Sequence, residues 1–448
     1  MVMIQTKKNH PKNKLLMKSF FLILVLLFFS LMSMAQNNLQ LTDAVNIALK
    51  NSLDIQLADN KIKAATIYNN YGYAGGLPLV TGSTADNEQV TTINQKLNTG
   101  SDINRSNAAA NNLSANITGS ILLYNGGRVV ATKKRYAELQ SQSKEQLNAQ
   151  VQNIMASVMV AYYDIVRQQD YIKTIDRSIE ASDQQLNIVK VRQKVGLANN
   201  ADLFQAQIDV NDLQQSKLAQ ILIVQQAKAE LLRLLTLNAD SAITITDTII
   251  IEKNIMLDSI LNSLNKNADI KAAESEIKIN ELIVKETAAQ RYPSIRATAG
   301  YAFSRNQAAA GNLLLNQNYG PTVGLSLSVP IFNGSIYKRQ QQVAEIDVRN
   351  AGLQKQILIR DYSAQAVKQY QAYANTISQL DTAQENYKLS SKLLELTLLR
   401  FQLKQATAVE VKNAQQSFEE SGFRLVNLYF AAKSAEIELK RLANSLTL

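Results

Sequence analysis

Nucleophile–base chemistry has almost no material in this chain. Its 448 residues include no Cys and a single His, His10. The missing Cys excludes disulfides, thiolate metal sites, thiol nucleophiles and lipid attachment through an N-terminal Cys. With one imidazole at most, Ser-His-Asp relays and His-based zinc sites lack their parts. What remains is carboxylates and cations, and two sets recur at one spacing. Arg192 and Asp202 stand 208 residues before Arg400 and Glu410. Such groups can pair or line a polar surface, but none brings a nucleophile together with its base. An enzyme is therefore the least supported reading, and no cofactor is implied.

The N-terminal stretch narrows the setting. Lys7, Lys8, Lys12, Lys14 and Lys18 precede an apolar run from Phe20 to Met32 and then Ser33-Met34-Ala35. A basic start, an apolar segment and a small-x-small site are the layout of a secretory signal peptide over 1–35. A retained anchor is the alternative, disfavoured because a spanning helix needs about 20 apolar residues. Removal of 1–35 would take away His10 and five Lys with no acid, halving the net charge of +10. Export and the smaller charge argue against a nucleic-acid partner.

Helix breakers fall in two zones. Of the 16 Gly, eight lie between Gly72 and Gly127 and five between Gly300 and Gly334. Pro78, Pro293, Pro321 and Pro330 lie in or beside the same zones, whereas Arg128 to Val195 contains neither residue. One helix over that stretch would be roughly 100 Å long at 1.5 Å per residue, far beyond ordinary globular helices. Apolar spacing supports helices packed along a seam. Val411, Ala414, Phe418, Ser421, Leu425, Leu428, Ala432, Ala435, Leu439 and Leu442 alternate steps of three and four. A similar seam from Leu203 to Leu234 is interrupted at Lys217 and Gln220. A sustained 3.5-residue repeat predicts knobs-into-holes packing, with amphipathic helices of a soluble bundle as the alternative.

The chain also repeats itself. Asp54-Ile55 and Pro78 match Asp269-Ile270 and Pro293 at an offset of 215, while Asn125-Gly126 matches Asn333-Gly334 at 208. The difference is absorbed in the first Gly-rich zone, as a longer loop between strands. We expect a signal segment over 1–35, a first repeat over 36–240, a linker over 241–264 and a second repeat over 265–448. Each repeat reads as helix, strand pair, long helix, tip and returning helix. The strand pairs fall at about 77–123 and 293–332. In the first, Leu113, Ala115, Ile117, Gly119 and Ile121 alternate with Ser114, Asn116, Thr118 and Ser120. In the second, Ile295, Ala297, Ala299, Tyr301 and Phe303 form one apolar set, and Val323, Leu325, Leu327, Val329 and Ile331 the other. Polar loops are expected over Asp86–Ala110 and Arg305–Asn318, and a short belt strand over Ala242–Ile251. Period-two alternation fits a barrel with lipid outside and water inside, or equally a half-buried sheet of a soluble protein. Four strands cannot close a membrane barrel and open edges fail in lipid, so a spanning sheet would need several copies.

The duplicated strand pairs, the corners "YNGGR" and "FNGS", and the tips "RQKVGLANNADLFQAQ" and "RFQLKQATAVEVKNAQQSF" resemble the TolC-type outer-membrane efflux protein family. The resemblance covers about Leu39 to Leu442. It implies a mainly α fold with a transmembrane β part: a homotrimer whose twelve-stranded barrel, four strands per copy, continues into a long periplasmic α-barrel of coiled-coil helices. It implies a passive exit duct through outer-membrane lipid for small molecules or proteins. The implied partners are a periplasmic adaptor and an inner-membrane pump of the RND or ABC type. In the family the resting duct closes at the helix tips. By that resemblance Glu410 takes an aperture-acid position, Asn413 stands where a second acid often sits, and Asp202 is the counterpart in the first repeat. Arg192 and Arg400 would pair with these acids. The turns Gly196-Leu197-Ala198-Asn199 and Gln405-Ala406-Thr407 would meet the adaptor. The family's tip Gly is present as Gly196, but Lys404 replaces it in the second tip, leaving that turn's geometry open. A contrasting function is an exported coiled-coil scaffold or adhesin shaft without a pore, which explains the seams but not the paired strands. Within the channel reading, small-molecule efflux and type I protein secretion both stand.

Overall fold

The protein is described from a computed structural model, over residues 37–447 except 97, 99, 101 and 312. The expected signal segment lies outside the described residues. In chain order the elements are β1 (Asn37–Asn38), α1 (Leu41–Asn51), α2 (Leu53–Tyr68), β2 (Leu79–Lys96), β3 (Asp102–Asn125), α3 (Arg128–Lys194) and α4 (Asn200–Leu234). There follow β4 (Ile243–Thr244), α5 (Leu257–Ser263), α6 (Ala268–Ala289), β5 (Ser294–Ala308), β6 (Leu315–Ser328), α7 (Ile336–Gln402) and α8 (Ala408–Leu442).

The breaker-free stretch becomes a single helix. α3 and α7 are 67 residues each, and α4 and α8 are 35 each. At 1.5 Å per residue these are rods of roughly 100 Å and 50 Å. Each long helix starts at an Asn-Gly corner where the backbone leaves the sheet: Gly126 and Gly127 have φ of 68° and 83°, Gly334 and Ser335 of 63° and 64°. A Cβ on Gly126 would lie 2.7 Å from the Ala289 carbonyl and from Tyr292, so only Gly fits the first corner.

Four strands form one antiparallel sheet in the order β2-β3-β5-β6. Its register sorts the side chains cleanly. Ile117 opposes Tyr301, which opposes Pro321; Ile121 opposes Ala297, which opposes Leu325. One face thus collects Leu113, Ile117, Ile121, Phe303, Val323 and Leu327. The other collects Thr81, Ser83, Asn116, Thr118, Thr298 and Ser326. The expected loop over Asp86–Ala110 is instead mostly strand. β2 and β3 stay paired from Asp86↔Leu113 to Lys96↔Asp102 with one irregularity near Thr91. Pairing needs only backbone groups, and Asn111 adds side-chain bonds of 2.6 and 2.9 Å to Asp86 and Glu88. Likewise β5 runs to Ala308 and β6 starts at Leu315, so the second loop shrinks to the residues between them. The expected belt strand shrinks too: only Ile243–Thr244 pairs, in parallel with Asn37–Asn38.

The helical seams bury their apolar residues in three clusters. One joins α1 to Val158 and Ile165 of α3, Leu231 and Leu235, and Ile243 and Ile245 of the linker. A second joins Ile260, Ile270, Tyr373, Leu439 and Leu442. The third lies toward the tips, with Leu186, Val210, Phe401, Val411 and Phe418. Each such side chain contributes roughly 1.5–3 kcal/mol by leaving water. Gly422 sits where α8 meets α3, since a Cβ there would fall 2.7 Å from Thr174.

The linker is strapped across the helices by polar bonds. The Tyr162 hydroxyl reaches Asp247 at 2.6 Å and the Leu39 carbonyl at 2.8 Å. Glu436, buried on α8, accepts from Lys433 and Lys440 at 2.9 Å each and from the Glu252 amide at 3.1 Å. Burial pushes its carboxyl up, but the two ammonium groups and the amide outweigh this and leave it below the ordinary range. A depressed carboxylate stabilises the fold above its unfolded pKa and loses that contribution as pH falls through its folded value. Melting curves from pH 7 to pH 3 should therefore show a stability loss in the wild type that is smaller in Glu436→Gln. At pH 7, Glu436→Ala should cost about 3 kcal/mol, because Lys433 is left without its carboxylate.

Candidate functional site: the helix tips and the two-faced sheet

The two tips are built alike, from backbone rules. At the end of α3 the Gly196 amide donates to the Gln193 carbonyl at 3.0 Å and the Leu197 amide to Arg192 at 2.7 Å. At the end of α7 the Lys404 amide donates to Phe401 at 3.1 Å and the Gln405 amide to Arg400 at 2.8 Å. This is the Schellman ending, which requires a left-handed residue. Gly196 supplies it with φ 75° and Lys404 with φ 62°. The second tip therefore keeps the turn geometry despite losing the Gly.

Each returning helix then opens with a capping box. The Asp202 amide donates to Asn199 Oδ1 at 2.8 Å and the Asn199 amide to the Asp202 carboxylate at 3.2 Å. The Glu410 amide donates to Thr407 Oγ1 at 3.2 Å, and the Thr407 amide to the Glu410 carboxylate at 2.7 Å. Both tip acids are thus helix-capping groups, placed at the positive end of a helix dipole. The signature is legible in the sequence as Asn199-x-x-Asp202 and Thr407-x-x-Glu410, beside the expectation of these acids as gate charges or as a solvated helix surface. The Thr407 amide and hydroxyl, then Arg400, hold the Glu410 carboxyl below the ordinary range.

The arginines part ways. Arg400 lies 3.7 Å from Glu410 and donates to the Gln405 carbonyl at 2.8 Å. Arg192 meets no acid among the described residues. Its guanidinium lies 4.4 Å from the Phe401 ring centroid and donates to the Phe401 carbonyl. It thereby clamps the first hairpin onto the exposed carbonyl end of the second long helix, a favourable place for a cation. Lys412 and Asp209 add a second bond between hairpins at 2.8 Å, and Ser182 and Gln415 a third at 3.0 Å. Phe401 and Lys412 lie inside the second tip stretch without a role legible there, and Asp209 lies just beyond the first, because contact between the hairpins sets their roles. Asn413 and the turn residues Leu197, Asn199, Gln405 and Thr407 are exposed, with Ala198 and Ala406 half-buried against the tip cluster.

At the other end of the helices stands the sheet. Its apolar face runs about ten residues along each of β3, β5 and β6, from the Ala115–Phe303–Tyr319 level to Tyr124–Ile295–Leu327. Ten tilted residues span the height of an outer-membrane apolar band, about 25 Å. Above it stand Asp86, Glu88, Asn111 and Arg305. Val323 and Leu325 are 87% and 71% exposed in the single chain, although the residues opposite them on the polar face are small and hydrophilic.

A model of the outer membrane efflux protein family matches residues 44–236 and 260–445. The chain belongs to that family. It is similar to the outer membrane protein TolC of Vibrio cholerae, 25% identical over 366 residues that cover 78% of this chain and 82% of that one. Its fold matches the outer membrane protein VceC of Vibrio cholerae with a TM-score of 0.73 at 17% identity, covering 90% of this chain and 96% of that one. It matches the CmeC outer membrane channel of Campylobacter jejuni with a TM-score of 0.73 at 16% identity, covering 90% and 85%. This efflux protein is accordingly an outer-membrane protein with its long helices as a periplasmic extension, and its sheet has the two faces that a wall between lipid and water needs.

The Schellman geometry makes a local prediction for the efflux protein. A Cβ on Gly196 would touch nothing, so Gly196→Ala pays only the left-handed backbone, about 1 kcal/mol, and Lys404→Gly gains a similar amount. Amide exchange at the two tips should speed up in the first variant and slow down in the second.

Proposed function

We propose that three copies of this chain form a passive exit duct for small molecules, driven by an inner-membrane pump through a periplasmic adaptor. The observation that carries the assembly is that one protomer is unfinished on both sides. β2 and β6 are sheet edges. α6 packs against both α3 and α7, whereas α2, its counterpart in the first half, packs against α3 and, among the described residues, has no comparable contact with a second long helix. α2 accordingly leaves Leu53, Leu57 and Ile67 exposed, and α7 leaves Ile336, Val343, Ile346, Leu353 and Ile357 exposed at steps of seven, three, seven and four. A neighbouring copy's α7 would cover α2, and its β6 would continue β2, repeating between chains the contact made within one. Three copies give twelve strands, enough for a closed barrel with a polar lumen.

The tips are the proposed closed end and docking site. Asp202, Glu410, Asn413, Arg192 and Arg400 form the rim of the aperture, repeated around the axis. The turns Gly196–Asn199 and Gln405–Thr407 meet the adaptor, supported by the exposed Leu197 and Leu403 beside them. The family's description as efflux proteins supports small-molecule cargo over a secreted polypeptide.

In detergent the purified chain should run as a trimer and open pores in planar bilayers; Ile357→Asp, which puts a charge in the proposed seam, should yield monomers and no pores. Cells lacking the protein should become sensitive to drugs, bile salts or metals while their secretome stays unchanged. Plasmid-borne wild type should restore resistance, Leu197→Asp should fail to do so while remaining trimeric, and Asp202→Asn with Glu410→Gln should raise single-channel conductance. Loss of a secreted protein with no new sensitivity would replace efflux by secretion.

A further inference from the structure

The helices that start at the tips and those that start at the sheet differ in their first turns. α4 and α8 open with an acid in the first turn, whereas α3 and α7 open with none and with no side-chain cap. α3 begins with Arg128, and α7 carries Lys338 and Arg339 in its first turn. Beside the start of α3 lies a cleft of about 430 Å³ lined by Asn125, Arg128, Gln290, Ser294, Arg296 and Tyr337, with no carboxylate among its described lining residues. Neither arginine has an ion-pair partner among the described residues; Arg296 makes only a 3.4 Å bond to Ser120 Oγ. The Asn125 side-chain nitrogen is buried there with no acceptor. Two unpaired guanidinium groups and an unused donor call for negative charge.

The register extends the point along the sheet. Arg296 opposes Leu122 and Ser326, on the polar face. Between Leu79 and Gln89 of β2, Ala110 and Leu122 of β3, Ser294 and Asn306 of β5, and Asn316 and Ser328 of β6, it is the one ionisable side chain on that face. Acids on these strands, Asp86 and Glu88, lie on the opposite face. α3 separates this junction from the tip acids by roughly 100 Å, about ten Debye lengths at 0.1 M salt, so the two ends act independently.

We propose that Arg296 and Arg128 form an anion-attracting collar where the helical tube enters the barrel, biasing permeation toward solutes that carry a carboxylate, sulfonate or phosphate. The collar rests on the trimeric-duct reading, which repeats both side chains around one axis; rings of Arg favour anions.

The test is the reversal potential of single pores across a tenfold KCl gradient, for the wild type, Arg296→Gln and Arg296→Glu. Arg296 is exposed on the sheet surface, so trimer migration on gels should not change. The chloride-to-potassium permeability ratio should fall about twofold in Arg296→Gln and further in Arg296→Glu. Ratios equal to wild type in both variants would overturn the collar and leave the channel standing. A wild-type chain that opens no pore would overturn the duct and the collar together.

Discussion

A backbone N–H or C=O left unpaired in hydrocarbon costs several kcal/mol, and the outer edges of β2 and β6 present rows of them. That cost organises the molecule. The sheet is hydrophobic on one face and hydrophilic on the other, which suits a wall between lipid and water, yet a wall with two raw edges is stable in neither. Closure has to come from other copies, and the chain's own duplication supplies the joint: the contact between β3 and β5 inside the chain is a template for one between chains. The helices share the same incompleteness. Their buried clusters lie midway and near the tips, while the stretch next to the sheet keeps apolar stripes on α2 and α7 uncovered.

Polar groups do a different job at each level. Midway, Tyr162 and the buried Glu436 each tie the linker to the helices, through Asp247 and the Glu252 amide. At the tips, the charged residues finish helices: Asp202 and Glu410 cap the starts of α4 and α8, Arg192 covers the carbonyl end of α7, and Arg400 holds its own turn. A rim made of capping groups is stiff within each hairpin, and Arg192, Lys412 and Ser182 join the hairpins to one another. Moving one hairpin against the other must therefore break those joining bonds. At the junction with the sheet, by contrast, Arg128 and Arg296 have no ion-pair partner among the described residues.

Much of the architecture was legible before any coordinates. The absence of Gly and Pro over Arg128–Val195 announced the long helix, and the three-four steps from Val411 to Leu442 announced its buried seam. Alternation at Val323–Leu327 announced a two-faced strand. Reading failed where hydropathy carries no information. Asp86–Ala110 is polar on both sides, so it read as a loop, yet backbone pairing with the neighbouring strand extends β2 and β3 through it. Lys404 left the geometry of its turn open, and the Schellman ending forms there with a left-handed Lys at a modest cost. The capping boxes are visible as spacing, but a tip acid reads equally as a gate charge or a solvated surface group until the turn before it is known.

Local covalent and conformational preferences are written residue by residue, so sequence alone determined helix lengths, corner positions, the two faces of the sheet and the lack of catalytic parts. Contacts between distant segments are not so written. Which ring Arg192 would rest on, which acid Lys412 would meet, and that Arg128 and Arg296 would share one cleft free of carboxylates were decided by how hairpin, sheet and helix come together in space. Charge acts through distance, and only the folded chain sets those distances.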